Sequence, residues 1–178
     1  IDVDNYIDYQ IAQQFFVNYD WPGNNVKMWR STGSDGRWRW IYHDLDGTFG
    51  NPAYPMIWHC TRNDTSVEYP NPPHTTFLFR NMIRNRAFVN QFLSRYEELL
   101  HTDFNRTRIS YRLNTIKKQY APEIYRQTMR WHTPEDWYRW EHDIDSIMLP
   151  FLNVRGCYVE DYIREYFVTD DFRSDCLR

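Results

Sequence analysis

Cysteine is scarce in this chain, and the spacing of its three residues excludes more than their number does. Cys60, Cys157 and Cys176 lie far apart and form no Cys-x-x-Cys, so zinc-ribbon and thioredoxin-type sites find no support. One disulfide is compatible with this set, and so are three free thiols. Glycine is also sparse, with six residues, and nowhere forms a glycine-rich phosphate loop. No run of eighteen or more apolar residues exists, which excludes a membrane-spanning helix. No leader pattern opens the chain. It begins at Ile1 directly before a helix signal and reads as a piece of a longer protein, so the absence of a leader says nothing about secretion of the parent. Lys and Arg are scattered among acids and the net charge is -3, which argues against non-specific binding of nucleic acid.

Aromatic residues are what the chain has in excess. They make up 19% of its 178 residues, so a single domain of this length is expected to build much of its core from Trp, Tyr and Phe. The spacing of apolar residues predicts a mostly helical α+β fold with one β-hairpin near the N-terminus. Asp2 and Asp4 are good helix N-caps. Ile7, Ile11 and Phe15 then recur every four residues, which predicts a helix from about Asn5 to Val17. Pro22-Gly23 ends it and leaves Asp20 in the following loop.

Two strands are expected next, Val26 to Arg30 and Arg37 to Tyr42, joined by a turn over 31–36. Trp38, Trp40 and Tyr42 share one face and read as core. Residues 50–75, rich in Pro, Asn and Thr, read as one long loop. Helices are expected over Phe77 to Asn85, Ala87 to His101, Thr107 to Tyr120 and Tyr158 to Phe167, with two more starting near Pro122 and Pro134. His59, His74, His132 and His142 lack ligand spacing and read as surface or packing residues. Trp131, Trp137 and Trp140 read as a packing cluster. The division expected is one domain over 1–168 and a polar, fraying tail over 169–178. Asn63-Asp64-Thr65 and Asn105-Arg106-Thr107 match the glycan acceptor pattern, which chance explains better in a chain rich in Asn and Thr.

One constellation carries chemistry. Asp20 and Asn25 stand five residues apart, and the hairpin that follows ends in His43-Asp44-Leu45-Asp46-Gly47. Antiparallel strands of similar length return Asp44 towards Asp20. Phosphoryl transfer needs these parts in this order: a carboxylate to orient the attacking hydroxyl, an amide oxygen on a metal, and a second carboxylate on the same metal. Hard Mg²⁺ prefers carboxylate oxygens, and two acids around one leucine before a glycine suit it. Asp-x4-Asn alone is a weak pattern. The helix before it and the acid-Gly ending after it make it moderately specific.

With these residues the chain resembles the CotH family, the spore-coat protein H type of atypical protein kinase. The likeness lies in Asn18-Tyr19-Asp20 with Asn25, in Trp40-Ile41-Tyr42-His43-Asp44-Leu45-Asp46, and in Phe49-Gly50. It continues more loosely through Leu78 to Ile83, Phe88 to Phe92 and Arg155 to Phe167. The resemblance implies a kinase-like C-terminal lobe from a secreted or surface-associated protein that phosphorylates proteins with ATP and Mg²⁺ or Mn²⁺. It assigns Asp20 to the catalytic-loop Asp, Asn25 to the metal-binding Asn and Asp44 to the metal-binding Asp, with Asp46 sharing that role. His43 departs from the family's usual Trp. No glycine-rich loop and no strand-borne Lys with its Glu precede Asp20. Those nucleotide-gripping parts either lie upstream in a parent or have been lost, and in the latter case the fold serves as a non-catalytic surface or coat-associated binding protein. A transferase that moves AMP with the same carboxylates is a further rival.

Overall fold

The computed structural model describes residues 1–64 and 71–176, and the first glycan pattern, which ends at Thr65, extends outside them. The fold is α+β, mostly helical with one two-stranded antiparallel sheet. Helix α1 spans Val3–Phe15. Its Asp2 cap accepts from the Asn5 amide at 3.2 Å, and this bond, ahead of the nearby Arg37 and Arg39 charges, holds the Asp2 carboxyl below its ordinary range. Ile7, Ile11 and Phe15 are buried as their spacing predicts.

Strands β1 (Lys27–Trp29) and β2 (Arg39–Ile41) pair with Met28 opposite Trp40. The hairpin is clamped onto α1 by one side-chain amide. Asn5 accepts from the Trp40 N–H at 2.7 Å and donates to the Trp40 carbonyl at 3.3 Å, taking the place of a third strand. Trp40 is the buried ring of its face, 4.5 Å from Tyr6. Trp38 and Tyr42 lie beyond the paired residues and stay exposed, against the expectation that all three form core. Trp38 instead receives the Arg30 guanidinium over its face at 5.1 Å.

The segment expected as one long loop contains helix α2, Met56–Thr61. Six residues are too few to show a period, yet Met56, Ile57 and Cys60 are buried, so tertiary burial stabilises this helix. Helices α3 (Pro73–Met82) and α4 (Arg86–His101) follow. Their buried face is an aromatic run in which Phe79, Phe88, Phe92 and Tyr96 contact one another in sequence. Helix α5 runs unbroken over Arg106–Trp131, through Pro122. The expected break fails because Pro122 faces outward and costs one backbone donor, that to Lys118, near the middle of a long helix. Helix α6 (Trp137–His142), a π-helical stretch (Asp143–Met148) and α7 (Leu149–Phe167) complete the fold. Trp137 and Trp140 do meet, at 5.1 Å, while Trp131 is exposed.

The described residues after α7, 168–176, are docked rather than frayed, and the last two residues of the expected tail lie outside the described ones. Phe172 is buried against Tyr96. Asp175 accepts from the Arg106 N–H at 2.8 Å and from the Asn105 side chain at 2.9 Å, and so reinforces the start of α5. Cys157 and Cys176 form a disulfide. Cys60 remains a buried thiol whose pKa burial pushes well up. No helix among the described residues is long and apolar enough to cross a membrane.

Candidate functional site

The site begins where α1 ends. Helix carbonyls at a C-terminus lack N–H partners, and here a buried arginine from α7 supplies them. The Arg155 guanidinium donates to the carbonyls of Gln14 (2.8 Å) and Phe15 (3.0 Å), and also to those of Pro52 (2.6 Å) and Tyr54 (2.9 Å). Burial lowers its pKa to about 10, so it remains charged at neutral pH. One side chain thus ties the end of α1, the loop before α2 and the core of α7 together.

The chain then reverses. Val17 takes a left-handed φ of 53°, and Asn18 turns inward, fully buried, donating to Gln13 at 2.8 Å. Trp21 is buried, and its carbonyl accepts from His59 Nε2 at 2.7 Å. Because Nε2 donates, His59 Nδ1 accepts from the Tyr54 hydroxyl at 3.0 Å. Burial, only partly opposed by the Trp21 carbonyl, lowers the His59 pKa and keeps the ring neutral. Between these anchors Asp20 is half-buried, and its carbonyl accepts the Asn24 N–H at 3.0 Å.

The hairpin returns its far end to this turn. The Tyr19 N–H donates to the Gly47 carbonyl at 3.1 Å, and the Phe49 N–H to the Phe16 carbonyl at 3.0 Å. Gly47 suits this position for space rather than for φ. A Cβ at position 47 would lie 3.3 Å from Asn18 Oδ1 and 3.5 Å from Asp20 Cγ. The turn after β2 therefore lies directly against the Asp20 carboxylate. Asn25 stands two residues before β1 and Asp44 three residues after β2, at one end of the hairpin. Both have left-handed backbones, with φ of 57° and 55°, a conformation that Asn and Asp tolerate better than most residues. Asp44 and Asp46 are exposed.

Among the described residues, four of the six non-glycine residues with positive φ (Val17, Asn25, Asp44 and Phe49) lie in these connecting turns. Such backbone strain clusters at functional sites. A cation stands at the same end. Lys27 Nζ donates to His43 Nε2 at 2.5 Å, while His43 Nδ1 is buried and has no hydrogen-bond partner among the described residues.

The donor set is one amide oxygen and a few carboxylates. No group of three His, Cys, Asp or Glu side chains gathers as a metal cage among the described residues. Asn25, Asp44 and Asp46 offer oxygen donors, the ligand type that Mg²⁺ takes.

The family model described as CotH kinase protein matches residues 1–159. The chain belongs to the CotH kinase protein family. No curated protein and no solved structure matches it significantly. The match covers α1 and the hairpin and runs into α7, so Asp20, Asn25, Asp44 and Asp46 all lie inside it, as does Arg155. Reading the sequence missed the residues that hold the turns: Asn18, Lys27, His59 and Arg155. Arg155 did leave a signal, since it falls on the four-residue apolar stripe of Phe151, Val159 and Ile163. His59 left none, because its partners are a backbone carbonyl and a tyrosine that the sequence does not place beside it.

Proposed function

We propose that this chain carries the catalytic-loop half of an ATP-dependent protein phosphotransferase, built like the C-terminal lobe of a protein kinase. The observation that carries the reading is the closure of the Gly47 turn onto Asp20, because it returns the second acidic cluster to the first. Asp20 orients the acceptor hydroxyl of a protein substrate and takes its proton. As the oxygen–phosphorus bond forms, the bond between the γ-phosphorus and its bridging oxygen breaks and ADP leaves. Asn25 and Asp44 hold Mg²⁺ or Mn²⁺, with Asp46 as a further carboxylate. When bound, the metal neutralises phosphate charge and ties the nucleotide to this end of the hairpin. Lys27, steadied by His43, adds a second positive charge there. The Cys157–Cys176 disulfide supports a secreted or surface-exposed setting, since such bonds persist in oxidising compartments.

Transfer of label from γ-labelled ATP tests the proposal, with Mg²⁺ or Mn²⁺ and the protein that carries this chain. Asp44→Asn is expected to lower transfer by about 10²-fold or more. Unchanged transfer would remove Asp44 from the site. No transfer by the well-folded wild type to several acceptor proteins would favour a binding protein that keeps the fold without the chemistry. A target that gains the mass of AMP instead of phosphate would favour nucleotidyl transfer.

A further inference from the structure

Helix α5 is the least buried long element of the fold. Over 26 residues it buries only Ile109 and Ile124 fully, at about 39 Å of length. Its outward face is not an ordinary solvated one. Tyr111, Lys118, Tyr125 and Met129 fall within one band of the helix surface. Tyr111 and Tyr125 are each 72% exposed and Met129 is 63% exposed. Along the same helix stand seven Lys and Arg against one acid, Glu123, in a chain whose net charge is -3. A third of the chain's 21 Lys and Arg residues thus stand on one rod.

The pairing of these cations points to what they bind. Arg112 holds Asp103 at 3.0 Å, Lys117 holds Glu141 and Asp145 at 3.1 and 2.7 Å, and Arg126 holds Glu123 at 3.2 Å. Among the described residues Arg108, Lys118 and Arg130 have no carboxylate within ion-pair reach, and all three are exposed beside the aromatic band. These three exposed cations, with the half-buried Arg106 a fourth unpaired one at the helix start, are too few to hold a nucleic-acid backbone, whose affinity comes from many phosphate contacts. They are enough for a short acidic segment, provided apolar anchors add contact area.

We infer that the outer face of α5 is a docking site for an acidic protein segment bearing aromatic or aliphatic anchors. The carboxylates meet Arg108, Lys118 and Arg130, while the anchors pack on Tyr111, Tyr125 and Met129. This role is independent of phosphoryl transfer and stands whether or not the chain is catalytic.

The probe is a fluorescently labelled poly(Glu,Tyr) copolymer, with poly-Glu beside it, and binding is read by anisotropy against salt. Saturable binding to the copolymer, weaker binding of poly-Glu and weakening with salt are expected. Tyr111→Ala/Tyr125→Ala/Met129→Ala and Arg108→Gln/Lys118→Gln/Arg130→Gln should each raise Kd about tenfold or more. The charge variant should also flatten the salt dependence. All six side chains are exposed, so circular dichroism and Tm should not change. Absence of saturable binding, or binding that ignores both variants, overturns the inference. So does tighter binding to single-stranded DNA or to phosphatidylserine vesicles. Sedimentation showing a dimer that either variant dissolves would overturn it in favour of a second copy of this chain.

Discussion

The turn that carries Asp20 and the turn that carries Asp44 meet at Gly47, but they are held in different ways. The Asp20 turn is gripped from beneath by buried polar groups. Arg155 holds the end of α1, Asn18 is bonded to Gln13, and His59 holds the Trp21 carbonyl. The Asp44 turn lies outside the core. It is held by the Lys27–His43 contact, by Thr48 donating to the Leu45 carbonyl at 2.6 Å, and by the Tyr19–Gly47 and Phe49–Phe16 backbone bonds. Buried hydrogen bonds are costly to lose, whereas exposed ones exchange with water at little cost. The side proposed to orient the acceptor is therefore the more firmly held of the two. The exposed side, which carries the proposed metal ligands, can adjust to the phosphates it receives.

The sharpest way to break this contrast is to remove the grip beneath Asp20. Arg155→Met takes the only side-chain donor from the Phe15 and Pro52 carbonyls and weakens the hold on those of Gln14 and Tyr54, which keep a backbone N–H, and should cost about 2–5 kcal/mol, read by urea denaturation. A loss under about 1 kcal/mol would mean that the turn holds itself. Altering the joint comes next. Gly47→Val places methyl groups against Asn18 and Asp20 and should lower phosphoryl transfer by about 10²-fold with little loss of stability, since small misplacements of reacting groups are expensive. Gly47→Ala, which asks its neighbours to give by a few tenths of an ångström, should do much less. An equal effect on transfer and on melting would show the joint to be structural alone.

The smallest effect expected is that of pH at His59. Burial lowers its folded-state pKa, while the unfolded value is near about 6.5. The unfolded chain therefore takes up the proton first as pH falls. The contribution of His59 is complete above that value and is lost progressively below it. Between neutral pH and mildly acidic pH the wild type should lose more stability than His59→Gln does. Equal losses would remove His59 as the source.

How much of this was legible in the sequence follows the same division. The candidate site residues stood out in the sequence because the pattern that marks them is local. Asp20, Asn25, Asp44 and Asp46 lie in turns marked by Pro-Gly and Asp-Gly, and hairpin geometry alone predicts that the second group returns to the first. The expected helices α1 and α4 were readable from four-residue apolar spacing. The buried grip was not, because a bond such as Arg155 to Phe15 spans 140 residues of sequence and leaves no spacing to read. Helix α2 and the docked tail were missed for a related reason. Each is too short or too polar to signal itself, and each is held by partners far along the chain, α2 by burial in the core and the tail by Asn105, Tyr96 and Cys157. Continuous α5 was missed because a proline in a long helix reads as a break until its neighbours are known.

The most direct test of the central claim, that Asp20 and Asp44 act as one unit across the Gly47 joint, is a double-mutant cycle in label transfer from γ-labelled ATP. Asp20→Asn, Asp44→Asn and the double variant are compared in the protein that carries this chain. Residues of one catalytic unit are strongly non-additive, so the double variant should transfer label about as slowly as the worse single one. Losses that multiply, or a single variant that transfers label at the wild-type rate, would contradict the account.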